Sequence, residues 1–105
     1  VVCFGEVGGC YEERAAEYIA SGAFTKTVVA VVAGKFTDTL PIGTTLGHAG
    51  AIVAKGRGTH ASKVSALRAA GVAVADRLEE IPMLLCNGLY ERQHPIEHQR
   101  AIIGR

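Results

Sequence analysis

Two residues of the chain carry side chains that could do chemistry together. Glu6 follows an apolar run at the start of the chain, and His48 lies in the glycine loop Gly47–Gly50. A carboxylate that accepts a hydrogen bond from one imidazole nitrogen fixes the tautomer of the ring and leaves the other nitrogen as a nucleophile. A nucleophilic histidine beside anion-binding groups indicates phosphoryl transfer through a phosphohistidine, so Glu6 and His48 are the candidate catalytic pair.

Glycine loops near these two residues predict anion binding. Gly8-Gly9 leads into a predicted helix at about Tyr11, and the loops around Gly47–Gly50 and Gly56–Gly58 lead into further helices. The N-terminus of a helix offers backbone N–H groups and partial positive charge to a phosphate. Neither a Walker-type loop nor a dinucleotide-binding G-x-G-x-x-G motif is present. The expected phosphate-binding residues are Gly8, Gly9, Gly47, Ala49 and Gly50.

Alternating apolar runs and helical patterns predict how these residues are positioned. Continuous β-forming runs predict two strands buried on both faces and a third, short strand, at Val1–Phe4, Thr27–Val32 and Val72–Val74. Helical spacing predicts helices over Tyr11–Ser21, His60–Ala70 (capped by Thr59) and Leu78–Cys86, with a long loop at Ala33–Leu46 and a turn or two of helix in Gly47–Ala54. This order predicts an α/β fold, half of a doubly wound parallel sheet. Adjacent parallel strands would bring Glu6 and His48 to one edge.

Composition narrows the class of protein. The 105 residues carry a net charge of +1, so nothing steers the chain toward nucleic acid or an anionic membrane. An odd number of cysteines (three) argues against a secreted disulfide framework, and no apolar run reaches membrane-spanning length. We therefore expect a cytoplasmic or mitochondrial-matrix location and neither nucleic acid nor membrane as partner. Since the chain begins inside a strand and has only three strands, we expect a piece of a larger polypeptide whose sheet is completed elsewhere.

Other polar residues have simpler interpretations. His94 and His98 are four residues apart and could hold a metal, but no third ligand cluster is near, so a solvated helix face is favoured and no metal site is predicted. Cys10 lies near a helix N-terminus, where packing is favoured over a redox role. Lys55 and Arg57 lie in a glycine loop and are favoured as solvated residues.

The motifs resemble one known family. Gly5-Glu6-Val7-Gly8-Gly9-Cys10 and Gly47-His48-Ala49-Gly50-Ala51-Ile52, with Lys55–Thr59 and Ala66–Val72, are similar to the C-terminal domain of the succinyl-CoA synthetase alpha subunit. The resemblance covers roughly positions 1–81, and ATP-citrate lyase and malate–CoA ligase are similar over the same stretch. We accordingly assign positions 1–86 to the phosphohistidine part of a CoA-ligase domain and positions 87–105 to a C-terminal helical tail.

The resemblance implies a flavodoxin-like fold, of which this chain supplies about the second half, and a nucleotide-dependent acid–thiol ligase activity. It makes His48 the transient phosphohistidine and Glu6 the carboxylate that orients it. It also implies that CoA, ATP or GTP, and Mg²⁺ bind through the rest of the enzyme, namely a CoA-binding domain, the missing strands and a nucleotide-grasp beta subunit. This chain alone would then be inactive and bind no cofactor tightly.

The sequence also departs from the synthetase pattern. Proline and basic residues usually precede the histidine in synthetases, whereas here that stretch is Pro41-Ile42-Gly43-Thr44-Thr45-Leu46, so the resemblance does not fix the organic acid. Nor does it fix the choice of ATP or GTP. Two alternatives stay open: the ATP-citrate lyase branch, and a non-catalytic α/β module that binds an anion or a partner subunit.

Overall fold

The computed structural model describes residues 1–41 and 58–95. Strands alternate with helices along this part of the chain, with a short 3-10 helix after β2 and another after β3. The elements in chain order are β1 (Val2–Glu6), α1 (Tyr11–Ala20), β2 (Val29–Ala33), the 3-10 helix Lys35–Thr39, α2 (His60–Ala69), β3 (Ala73–Ala75), the 3-10 helix Leu78–Glu80 and α3 (Ile81–Gln93).

The three strands form one parallel sheet in the order β1-β2-β3. Val29 of β2 pairs with Val2 on one side and with Ala73 on the other, so β2 is the central strand. Parallel neighbours need a crossover connection, and α1 provides the one between β1 and β2. The predicted α/β class and parallel sheet are confirmed.

Helices cover both faces of this sheet. Ala16 of α1 and Leu67 of α2 pack against Ala30 of β2 in a buried apolar cluster on one face. Helix α3 packs against β2 and β3, and its Gly88 lies close to the side chain of Thr27. Side chains alternate between the two faces of a strand, so Thr27 is on the face of Val29 and not on that of Ala30. Helix α3 therefore covers the other face of the sheet. Central β2 is therefore buried on both faces, as predicted.

Strand β1 was predicted to be buried on both faces, and that is wrong. Val2 is 48% exposed and Phe4 is 68% exposed. Strand β1 lies at the edge of the described sheet, and α3 covers β2 and β3 rather than β1. The apolar run is a strand, shifted to Val2–Glu6, so Glu6 is the last residue of the strand and not the first of the loop.

Two further expectations need correction. The stretch predicted as a loop after β2 contains a 3-10 helix. This helix begins after Gly34, whose φ is 95°. The helix expected over Leu78–Cys86 is a 3-10 turn followed by the longer helix α3, which runs through position 86 to Gln93. None of the helices in residues 1–41 and 58–95 is long and apolar enough to span a membrane.

Candidate functional site

The structure places part of the predicted site. Glu6 ends β1 with an exposed side chain, and Gly8 and Gly9 follow it with φ values of 91° and 61°. Only glycine adopts such values at little cost, which explains the glycine pair. His48 lies outside the described residues, as do Gly47, Ala49 and Gly50. Its pairing with Glu6 therefore stays a prediction.

The ends of the segment that carries His48 are defined. Glu6 lies in register with Ala33, so β1 and β2 end side by side at the same edge of the sheet. The described chain stops at Pro41, shortly after β2, and resumes at Gly58. There the Gly8 N–H donates to the Gly58 carbonyl at 2.7 Å. Gly58, the first described residue after the segment with His48, thus contacts the loop that follows Glu6.

Gly58 fits this contact because it lacks a side chain. Its φ is 76°, and a Cβ atom there would lie 3.1 Å from the Gly8 Cα and 3.2 Å from the Gly9 carbonyl oxygen. Gly58 therefore packs backbone to backbone against Gly8 and Gly9. The Gly8 amide already donates to Gly58. The better candidates to bind an anion at the start of α1, where no side chain caps the helix, are therefore Gly9 and the residues that follow it.

The N-terminus of α2 was expected to offer free amides to a phosphate, and it does not. Asp38 accepts hydrogen bonds from the backbone amides of His60 and Ala61, both at 3.0 Å. The hydroxyl of Thr59 accepts from the amide of Ser62 at 3.0 Å, which confirms the predicted cap. A carboxylate of the protein's own therefore occupies the positive end of this helix.

A buried lysine, not singled out in the sequence, connects the loops. Lys63 of α2 has no exposed surface, and its Nζ lies 2.6 Å from Glu12 Oε1, 2.8 Å from Glu13 Oε1 and 3.4 Å from the Gly9 carbonyl oxygen. These three acceptors match the three N–H donors of an ammonium group. One feature of the sequence indicates that Lys63 is buried: it lies four residues before the apolar Leu67 and therefore on the same face of α2.

The second oxygens of the two carboxylates bind in different directions. Glu12 Oε2 accepts from the backbone amide of Glu6 at 3.3 Å, and Glu13 Oε2 accepts from the Ser62 hydroxyl at 3.4 Å. Glu12 therefore connects Lys63 to the strand end with Glu6, whereas Glu13 connects it to the start of α2. We call Lys63, Glu12 and Glu13 the lysine cluster.

Charge pairing shifts the pKa values within this cluster. Burial lowers the pKa of Lys63, but the hydrogen bonds and charges of Glu12 and Glu13 outweigh burial and raise it above 10.5. Burial raises the pKa of Glu13, but the hydrogen bond from Lys63, the lysine charge and backbone N–H groups, including that of Gly58, hold it below 4.5. Pairing thus stabilises the charged forms of Lys63 and Glu13.

The described residues contain no group of three or more histidine, cysteine or acidic side chains that could hold a metal ion. His94 ends α3, where its ring stacks on Tyr90 with centroids 4.2 Å apart, and His98 lies outside the described residues. The three cysteines are exposed free thiols, Cys10 among them.

The geometry of the described residues defines a parallel α/β unit with a carboxylate at the carboxyl edge of its sheet, followed by a glycine turn that packs against Gly58. Solved structures share this fold: the chain superposes on ATP citrate lyase from Methanothrix soehngenii in complex with citrate and coenzyme A with a TM-score of 0.74. The match has 29% identity and covers 90% of this chain and 16% of that one. ATP citrate lyase from Methanosaeta concilii matches with a TM-score of 0.71 and 31% identity, over 80% of this chain and 14% of that chain.

Sequence comparison identifies the relatives. The chain is 46% identical over 85 residues to the ADP-forming sulfoacetate-CoA ligase subunit SqwL of Acholeplasma sp, and 51% identical over 77 residues to the alpha subunit of ADP-forming succinate–CoA ligase of Methanothermobacter thermautotrophicus. These matches cover 81% and 73% of this chain but only 28% and 25% of those relatives. No protein-family model matches. Over this stretch the chain is homologous to ADP-forming CoA-ligase alpha subunits, and the resemblance is confirmed.

Proposed function

We propose that the chain is the phosphohistidine-bearing part of a nucleotide-dependent acyl-CoA synthetase, in which His48 relays a phosphoryl group to a carboxylic acid. The observation that carries this proposal is sequence similarity: 46% and 51% of the aligned residues are identical to those of two CoA-ligase subunits. The geometry supports it, because Glu6 ends a strand beside β2, and Gly58, which lies ten residues after His48 in the chain, contacts the loop after Glu6.

The chemistry has three steps. An imidazole nitrogen of His48 attacks the terminal phosphorus of a nucleoside triphosphate, and the bond to the diphosphate leaving group breaks. An oxygen of the carboxylate substrate then attacks the same phosphorus, which releases the histidine and forms an acyl phosphate. Finally the CoA thiol attacks the acyl carbon, and inorganic phosphate leaves. Glu6 would accept a hydrogen bond from the second imidazole nitrogen and so keep the attacking nitrogen unprotonated.

The remaining machinery would come from outside this chain. The relatives are named as subunits, and the chain matches about a quarter of their length. The CoA-binding domain, the further strands and a nucleotide-grasp beta subunit that takes ATP or GTP with Mg²⁺ are therefore proposed partners. The exposed apolar side chains of Val2 and Phe4 support a covering element on this side of β1.

The substrate class follows from what the relatives share. Succinate, sulfoacetate and citrate, which the names of the relatives and solved structures print, each carry a carboxylate and at least one more acid group on a short chain. We propose an acid of this kind as the substrate. The ATP-citrate lyase branch is the second candidate, and the structural match to two such enzymes favours it.

Peptide mapping of the assembled enzyme tests the proposal. The full-length subunit that contains this chain is incubated with its nucleotide-binding partner, Mg²⁺ and a nucleoside triphosphate. We expect one acid-labile, alkali-stable phosphoryl group on the peptide with His48, discharged by one member of a panel of short diacids plus CoA. The control is His48→Asn in the same complex. Its continued turnover, or an assembled wild-type enzyme that takes no label, would refute the relay.

A further inference from the structure

The lysine cluster lies behind the strand end that carries Glu6. Glu12 makes two contacts that use both carboxylate oxygens: Oε1 pairs with Lys63 at 2.6 Å, and Oε2 accepts from the backbone amide of Glu6 at 3.3 Å. Its side chain is 20% exposed, whereas that of Lys63 has no exposed surface. The backbone of Glu6 is thus connected through one carboxylate to an ammonium group that is fixed inside the protein.

The neighbouring glycine leaves the space for this contact. A Cβ atom on Gly5 would lie 2.9 Å from Glu12 Cγ and 3.0 Å from Glu12 Oε2. Any side chain at position 5 would therefore push the Glu12 carboxylate away from the Glu6 amide. The contact with Glu12 gives a packing reason for the first glycine of the Gly-Glu-x-Gly-Gly motif.

Lys63 also holds the second half of the loop. Its Nζ donates to the Gly9 carbonyl at 3.4 Å, directly after Gly8, whose amide donates to Gly58. The loop from Glu6 to Gly9 is thus fixed at its start through Glu12 and at its end through Lys63. Because Lys63 is part of α2, these contacts connect that helix to the backbone at Glu6.

We infer that Glu12 and Lys63 are positioning residues for phosphoryl transfer, which place the Glu6 carboxylate against the histidine that is phosphorylated. This inference rests on the proposed roles of Glu6 and His48. The role assigned to both residues acts through Glu6 and not through contact with the reacting atoms. A misplaced catalytic group lowers the rate of a step whose reacting atoms must be aligned, even when substrate binding is unchanged.

Glu13 provides a matched control. It pairs with the same ammonium group at 2.8 Å with nearly the same exposure, 22%, but its second oxygen bonds Ser62 and not Glu6. Glu12→Gln and Glu13→Gln remove the same charge from Lys63. Only the change at position 12 acts on the link to Glu6, because the single acceptor oxygen of an amide group cannot serve both Lys63 and the Glu6 amide, as the two carboxylate oxygens do.

The test is single-turnover phosphorylation of the assembled enzyme with Mg²⁺, measured over a range of nucleoside triphosphate concentrations up to saturation. We expect Glu12→Gln to phosphorylate about tenfold or more slowly than Glu13→Gln, with an unchanged apparent KM for the nucleotide. Thermal unfolding of both variants measures any difference in stability. Equal rates in the two variants, or a loss confined to KM, would overturn the inference.

A second variant keeps the test decisive if Glu12→Gln does not assemble. Gly5→Ala displaces the Glu12 carboxylate without removing charge, so we expect the same loss of rate with unchanged KM. A Gly5→Ala enzyme with the wild-type rate would contradict the inference. A wild-type enzyme that takes no phosphoryl group would instead refute the proposed function itself, so the two failures are distinct.

Discussion

Replacement of Lys63 by methionine is the sharpest test of the energetics at the centre of this fold. Lys63→Met keeps an unbranched side chain of similar length in a site with no exposed surface, but it removes the positive charge. Glu12 and Glu13 then face each other without their shared partner. Breaking a buried ion pair by removing one member costs about 3–5 kcal/mol, because the charge that stays behind is uncompensated.

The structure indicates the lower end of that range. The two carboxylates are 20% and 22% exposed, so water can reach them once the lysine is gone. We therefore expect Lys63→Met to lower the free energy of unfolding by about 3 kcal/mol. Urea denaturation of the full-length chain, followed by circular dichroism with the wild type in parallel, measures this difference.

A triple variant separates charge from shape. Adding Glu12→Gln and Glu13→Gln to Lys63→Met removes the uncompensated charges and leaves the methionine in place, so part of the lost stability should return. If Lys63→Met costs less than about 1 kcal/mol, or if the triple variant is less stable than Lys63→Met alone, the assignment of the lysine cluster as a charge-matched network is wrong.

Two further predictions concern pH and helix capping. Because the folded pKa of Glu13 lies below 4.5, its stabilising contribution is present above pH 4.5 and lost as the pH falls through the lowered value. The difference in unfolding free energy between wild type and Glu13→Gln should therefore shrink in acid, and a constant difference from neutral pH to the acid transition would contradict the pairing. Asp38→Ala leaves two backbone amides of α2 without their acceptor and should lower the free energy of unfolding by about 1 kcal/mol in the same urea assay. Asp38→Asn, which keeps one acceptor oxygen, should lower it less. An alanine variant as stable as the wild type would show that Asp38 does not cap the helix.

Local sequence patterns predicted the elements better than their burial. The apolar runs at Val2 and Val29 both form strands, yet only the second strand is buried. Burial depends on which elements pack on either side of a strand, and the sequence of a single strand does not contain that information. Thr59 was recognised as a cap because capping is a local contact. Asp38 was missed because it caps a helix that begins 22 residues later.

The same limit applied to the candidate site. Glu6 was predictable because a polar residue at the end of an apolar strand lies at the carboxyl edge of a parallel sheet. Lys63 was not, because its partners are about 50 residues away in the chain and charged residues on helices are mostly solvated. Glu12 and Glu13 lie in the first turn of α1, where the helix dipole favours acidic residues whether or not they have a partner elsewhere.

The lysine cluster also bears on the choice between an enzyme and a non-catalytic module. Gly5 and Gly58 are required by packing, the first against Glu12 and the second against the backbone of Gly8, so both would be needed in a module that has no activity. Glu6 ends β1, and Glu12 binds its backbone amide and not its carboxylate, so that contact would form with another side chain at position 6. The glycines of the motif are therefore explained by the fold, whereas Glu6 and His48 are the residues whose presence favours the enzyme.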